Sequence, residues 1–173
     1  MSTLANFQIT SHYAASNSEN GTNIVYHITH LVDSYFIWVG GTAEKLDSPS
    51  SVPTSARSIL ADNELGGPDQ AVEVDTVGSF VAQVMQGGLV AKDWACAMPS
   101  RQSPSQTLGT SLFRSGDSDE SLAISQRLAR RFQKQILLSL DVPIGVKSSG
   151  QTSFFLLQVE KHLLETLKSF NTP

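Results

Sequence analysis

Ile24-Val-Tyr-His-Ile-Thr-His-Leu-Val-Asp-Ser-Tyr-Phe-Ile-Trp-Val-Gly-Gly41 is the stretch on which the fold turns. Over 24–31 the residues alternate. Ile24, Tyr26 and Ile28 share one side of a strand, and Val25, His27 and Thr29 share the other. Val32-Asp33-Ser34 is too short to be anything but a tight turn. Residues 35–39 then form an unbroken aromatic and β-branched run, which reads as a strand covered on both faces. Gly40-Gly41 ends it. Two strands joined by so short a turn must be antiparallel neighbours.

Other elements gather around this pair. Phe7 and Ile9 alternate with Gln8 and Thr10, a further short strand. Residues 94–98 and 107–114 read as strands, and so do 136–140 and the apolar run 154–157. The clearest helix spans 117–134, with Asp117 and Glu120 at capping-box spacing. Its inner side carries Leu122, Ser125, Leu128, Ala129 and Phe132, and the small Ser125 and Ala129 would let it lie close to a sheet. Val159, Leu163, Leu167 and Phe170 predict a last helix. The order predicts an α+β class: a compact domain on an antiparallel β-sheet or sandwich, with about two main helices.

Composition narrows the function. The chain has 173 residues, one domain's worth, and its 40% apolar content supports a core rather than wholesale disorder. The net charge of −4 argues against a dedicated nucleic-acid-binding domain. No apolar run approaches the ~20 residues that span a bilayer, and residues 1–17 lack the pattern of a signal peptide. A cytoplasmic or nuclear protein is the expectation. The acidity is concentrated. Residues 43–88 hold Glu44, Asp47, Asp62, Glu64, Asp69, Glu73 and Asp75 against Lys45 and Arg57, a local charge of −5. This stretch reads as a flexible insertion in a single 1–173 domain. One piece of it carries a helical stripe: Val77, Phe80, Val81, Val84 and Met85, with Asp75 and Gly87-Gly88 as caps.

Nothing reads as an active centre. His27 and His30, three apart on a strand, lie on opposite faces and cannot share a metal ion. Cys96, between two alanines, reads as a small buried hydrophobe rather than a nucleophile. Gly145 to Thr152 has the glycine spacing of a phosphate loop. It has Gln151 where the lysine belongs, and it reads as leading into a strand rather than a helix. No catalytic residue, cofactor, metal or small-molecule substrate is expected. The one concentrated charge feature is basic: Arg127, Arg130, Arg131 and Lys134, spread over the outer side of the central helix. Cations there complement the helix dipole, and they also suit an acidic protein surface. No aromatics interleave with them for base stacking.

Three stretches taken together resemble the proteasome assembly chaperone 4 family. They are Leu31-Val-Asp-Ser-Tyr-Phe-Ile-Trp-Val-Gly-Gly-Thr42, Trp94-Ala-Cys-Ala-Met-Pro-Ser-Arg101 and Ser125-Gln-Arg-Leu-Ala-Arg-Arg-Phe-Gln-Lys-Gln135. Asn6-Phe7, Gly109-Thr-Ser-Leu112 and the 154–170 tail are weaker matches to it. The resemblance implies a non-enzymatic chaperone. It would pair with a structurally similar proteasome assembly chaperone 3 subunit. The heterodimer would bind α-type subunits transiently and help them close into the 20S α-ring. Arg127, Arg130, Arg131 and Lys134 are the interaction candidates. The competing expectation is a small adaptor or trafficking-type binding module that shares only the fold.

Overall fold

The computed structural model describes residues 8–16, 21–43, 76–87, 92–101, 106–116 and 119–171. Six strands and four helices follow one another in the order β1 (Gln8–Ala14), β2 (Asn23–His30), β3 (Ser34–Thr42), α1 (Thr76–Gly87), β4 (Asp93–Pro99), β5 (Thr107–Phe113), α2 (Glu120–Phe132), β6 (Gln135–Asp141), α3 (Ile144–Ser148) and α4 (Thr152–Asn171). The strands form one sheet in the order β1-β2-β3-β6-β4-β5.

The α+β class holds, and β2 and β3 pair antiparallel from Asn23↔Thr42 to His30↔Tyr35. The turn between them is closed by the Leu31 amide donating to the Ser34 carbonyl at 2.9 Å. The sheet is mixed rather than wholly antiparallel, because β3 and β6 run parallel, Ser34↔Gln135 to Gly40↔Asp141. Parallel neighbours cannot be joined by a hairpin. Here α1, β4, β5 and α2 all intervene. β6 enters between β3 and β4, and pairs antiparallel with β4.

Register sorts the side chains into two faces. On the first lie Ile24, Tyr26 and Ile28 of β2, Tyr35, Ile37 and Val39 of β3, and Ile136, Leu138 and Leu140 of β6. All are buried with Ile124, Leu128 and Ala129 of α2, Val146 of α3, and Phe155, Val159, Leu163 and Leu167 of α4 in the main core. Ser125 and Ala129 are fully buried, as their small size requires for close approach. Ala95 and Ala97 of β4 are buried too, and Ala97 shares that core. At Gly109 on β5 an added Cβ would stand 2.9 Å from Leu122 Cδ1, so the strand there admits no larger side chain unless α2 shifts. On α4, Thr166 meets the Tyr26 hydroxyl at 2.8 Å.

Among the described residues the second face is covered over one half only. Val77, Phe80, Val81, Val84 and Met85 pack against Tyr13, Val25 and Trp38, so the stripe read in the sequence is a helix with that face inward. Its cap residues Asp75 and Gly88, and most of the acidic stretch 43–88, lie outside the described residues.

Three expectations need correction. Residues 154–157 are not a strand but the first turns of α4, a 20-residue helix. Gly145 to Thr152 does not lead into a strand. It holds most of α3 and Gly150 at φ +70°, and then leads directly into α4. The central helix starts later than predicted: α2 begins after Asp119, which makes no side-chain cap bond, and Asp117 lies outside the described residues.

Candidate functional site

The basic residues of α2 do not act as one patch. Arg127 reaches across to α4, where its Nε and Nη2 donate to the two Glu160 carboxylate oxygens, each at 2.7 Å. Glu160 holds the guanidinium charged and raises its pKa further. A two-point Arg–carboxylate contact is geometrically specific, but on an exposed surface it contributes about 1 kcal/mol or less. Arg127 therefore fastens α2 to α4. Lys134, just past the helix, donates to the Tyr35 hydroxyl at 3.1 Å and sits 4.7 Å from the centre of that ring. It belongs to the end of the core rather than to the outer side of α2.

Arg130 and Arg131 remain exposed, and among the described residues no ion pair engages them. Beside them the helix closes on Gln133, whose φ of 53° is left-handed and whose side-chain amide donates to the Arg130 carbonyl at 2.6 Å. Of the four sequence candidates, then, two are available to a partner and two are already engaged within the chain.

A larger feature lies on the second face of the sheet, over β6, β4 and β5. Register places Phe36, Leu137, Trp94, Cys96, Met98, Leu108 and Phe113 there. Among the described residues no helix covers them. Phe36 and Trp94 pack on one another with ring centres 5.0 Å apart. Met98 is 43% exposed, Leu108 63% and Phe113 55%. Scattered surface apolar residues need no account, whereas a contiguous exposed cluster is the kind of surface that protein partners use. The patch is bounded at one end by Lys92 and Asp141, which pair at 2.9 Å and are half-buried. Gln135 lies on the patch itself, its amide 3.3 Å from the Cys96 sulfur. Cys96 is thus half-buried on the open face, not a core residue as its neighbours suggest.

This surface was legible in one respect that the sequence reading missed. In β4 the alternation is inverted: small Ala95 and Ala97 point to the helix-covered face, and large Trp94 and Met98 point away from it. Small residues go inward where α2 lies close, so the large ones are left for an open surface. The run 35–39 shows the same division. Trp38 is buried beneath α1, whereas Phe36, on the same face, stands at the rim of the open half.

His27 donates or accepts at Ser11 Oγ, 3.0 Å away, on the opposite face from His30, as the strand spacing predicts. No group of three or more potential metal ligands converges among the described residues. Nor is any helix among them long and apolar enough to cross a membrane. Gly145 to Thr152 does precede a helix, contrary to the sequence reading. It still lacks a phosphate-loop lysine, with Gln151 at that position.

Comparison with known proteins bears on what binds such surfaces. No curated protein matches the chain by sequence. A family model described as proteasome assembly chaperone 4 matches residues 23–142. The match begins after Asn6-Phe7 and ends before 154–170, so the two outlying segments of the resemblance are not part of it. It takes in the strand pair, the inverted strand β4, the close-packed helix α2 and the central strand β6. With that much of the chain matched, the protein belongs to the proteasome assembly chaperone 4 family.

Proposed function

We propose that this chain is a non-enzymatic chaperone of 20S proteasome α-ring assembly. It pairs with a proteasome assembly chaperone 3-like subunit, and the pair binds α-type subunits transiently. The observation that carries this reading is the open half of the second sheet face, with Phe36, Trp94, Met98, Leu108, Phe113 and Leu137. Burying a large apolar side chain fully stabilises by about 1.5–3 kcal/mol, so a handful of such residues can anchor a lasting interface. Lasting partner interfaces are the more apolar class. A structurally similar subunit would bring a comparable sheet face to it.

The contact with α-type subunits must be released later, so it should be smaller and more polar. Arg130 and Arg131 fit that role, because they are exposed and unpaired among the described residues. Arg127 and Lys134 support it indirectly by holding α2 against α4 and Tyr35. The chain would act as one domain in the cytoplasm or nucleus, with the acidic 43–88 stretch as an insertion.

The test is co-expression with a chaperone 3-like subunit of the same organism, followed by size exclusion with and without α-type subunits. A 1:1 complex that retains an α-type subunit is expected. Met98→Asp with Leu108→Asp should abolish the complex. Arg130→Glu with Arg131→Glu should leave the 1:1 complex intact and release the α-type subunit. A complex that survives charges at 98 and 108 would move the partner interface off this face. A chain indifferent to both partners would overturn the reading as a whole.

A further inference from the structure

The far end of α4 rests on two histidines. β1 and β2 pair from Gln8↔His30 to Ala14↔Ile24, which puts His12, Tyr26 and His30 on the same face, under α4. The His12 ring stacks on Tyr26, with centres 4.9 Å apart and planes 14° apart. Phe170, in the last turn of α4, meets the His30 ring edge-on at 4.1 Å and lies 6.3 Å from His12. One aromatic side chain is therefore seated against both imidazoles. Both Nε2 atoms are buried, and among the described residues neither has a hydrogen-bond partner.

That arrangement suits neutral rings. A neutral imidazole can keep its proton on Nδ1 and leave Nε2 bare, whereas an imidazolium must donate from both nitrogens. A buried N–H carrying charge with no acceptor is strongly unfavourable. The surrounding groups give little relief. Facing the pair are Tyr26 from β2, Tyr35 from β3, Lys134 from the approach to β6, and Thr166 from α4. Glu165 of α4 acts on Tyr26, and among the described residues no carboxylate bonds either imidazole. His27 lies on the other face, beside Ser11.

We propose that His12 and His30 form a proton-operated latch for the C-terminal half of α4: neutral, they seat Phe170; protonated, they release it. Burial lowers the pKa of both below the ordinary 6.5, and the neighbouring His30 and His27 lower His12 further, as Lys134 does His30. The released state therefore takes up protons more readily than the docked one. The docking stability is complete above about pH 6.5 and is lost as pH falls through the window between that value and the lowered ones. Opening would break the Tyr26–Thr166 contact and uncover the inner face of β1 and β2.

The test is amide hydrogen exchange on the full chain at about pH 7.5 and about pH 5.5, corrected for intrinsic rates. Protection over residues 163–171 should fall at least about tenfold at the lower pH, while α2 and β6 stay protected. Trp38 and Trp94 both lie on the opposite sheet face, so their emission should not change. His12→Phe with His30→Phe should abolish the fall. Should that pair not fold, His12→Gln and His30→Gln singly should each reduce it, and His27→Gln, which acts on the latch only through His12, should reduce it less than either. Unchanged protection in the parent chain would overturn the latch. So would a fall that persists in the non-titrating variants, or one accompanied by a tryptophan shift, which would mean general acid unfolding.

Discussion

The two tryptophans sit on the same face of one sheet and live in different worlds. Trp38, on β3, is covered by α1 and fully buried beside Val25 and Val81. Trp94, on β4, packs against Phe36 with the rings tilted by 49°, at the edge of a half-face that no helix covers among the described residues. The same residue type is sealed in a core in one place and only half-buried in the other. What differs is the neighbouring chain: a 12-residue helix with an apolar stripe is folded back over the first half of the face. Among the described residues the chain covers one half of this face itself, and the proposed partner interface falls on the other.

Breaking the covered half should have the largest effect. Trp38→Ala removes a buried aromatic and should cost about 3–5 kcal/mol in urea unfolding, whereas Trp94→Ala should cost the isolated chain about 1 kcal/mol. Equal costs would mean that the open half is as much a core as the covered one. On the open side, the proposed interface predicts that Leu108→Asp weakens binding of a chaperone 3-like subunit by about a hundredfold or more, read by titration calorimetry, with little change in melting temperature. Partner binding should also shift Trp94 emission to shorter wavelength, and Trp38→Phe should leave that shift in place.

Smaller effects sharpen the boundary between the halves. The Trp38 indole lies over Gly40, where an added Cβ would come within 2.6 Å of Cη2. Gly40→Ala should therefore cost about 1–3 kcal/mol, because the indole is hemmed in by α1 and cannot yield freely. The smallest change is expected at the α2–α4 tie. Arg127→Ala should cost about 0.5–1 kcal/mol and less in high salt, since the pair with Glu160 is exposed on the Arg127 side. A larger, salt-insensitive loss would show that Arg127 matters through packing rather than charge.

How far these features could be read in advance follows their range along the chain. The β2–β3 pair was legible, because period two and a three-residue turn are local. So was the stripe of α1, and so were the small residues that bring α2 close to the sheet. The first turns of α4 were not. Phe154-Phe-Leu-Leu157 is a run of four apolar residues, which fits a short strand or a helix segment equally well by periodicity. What settles it is Phe155 continuing into Val159, Leu163 and Leu167, one buried face along α4 over the first side of the sheet. Phe154 and Leu157, on the outer side, stay exposed.

The basic cluster shows the same limit. Its helix and its charges are local facts. Which charges are available is not, because Arg127 is claimed by Glu160, 33 residues further on, and Lys134 by Tyr35, 99 residues back. Residue order and periodicity were enough for the α+β class, the antiparallel hairpin, the amphipathic helices and the family resemblance. The parallel β3–β6 pairing, the open half-face and the histidine seat of Phe170 came from the packing of distant segments. Local patterns state which side of an element seeks cover. Which segment provides that cover, and which side goes without, depends on contacts whose partners are far apart in the chain.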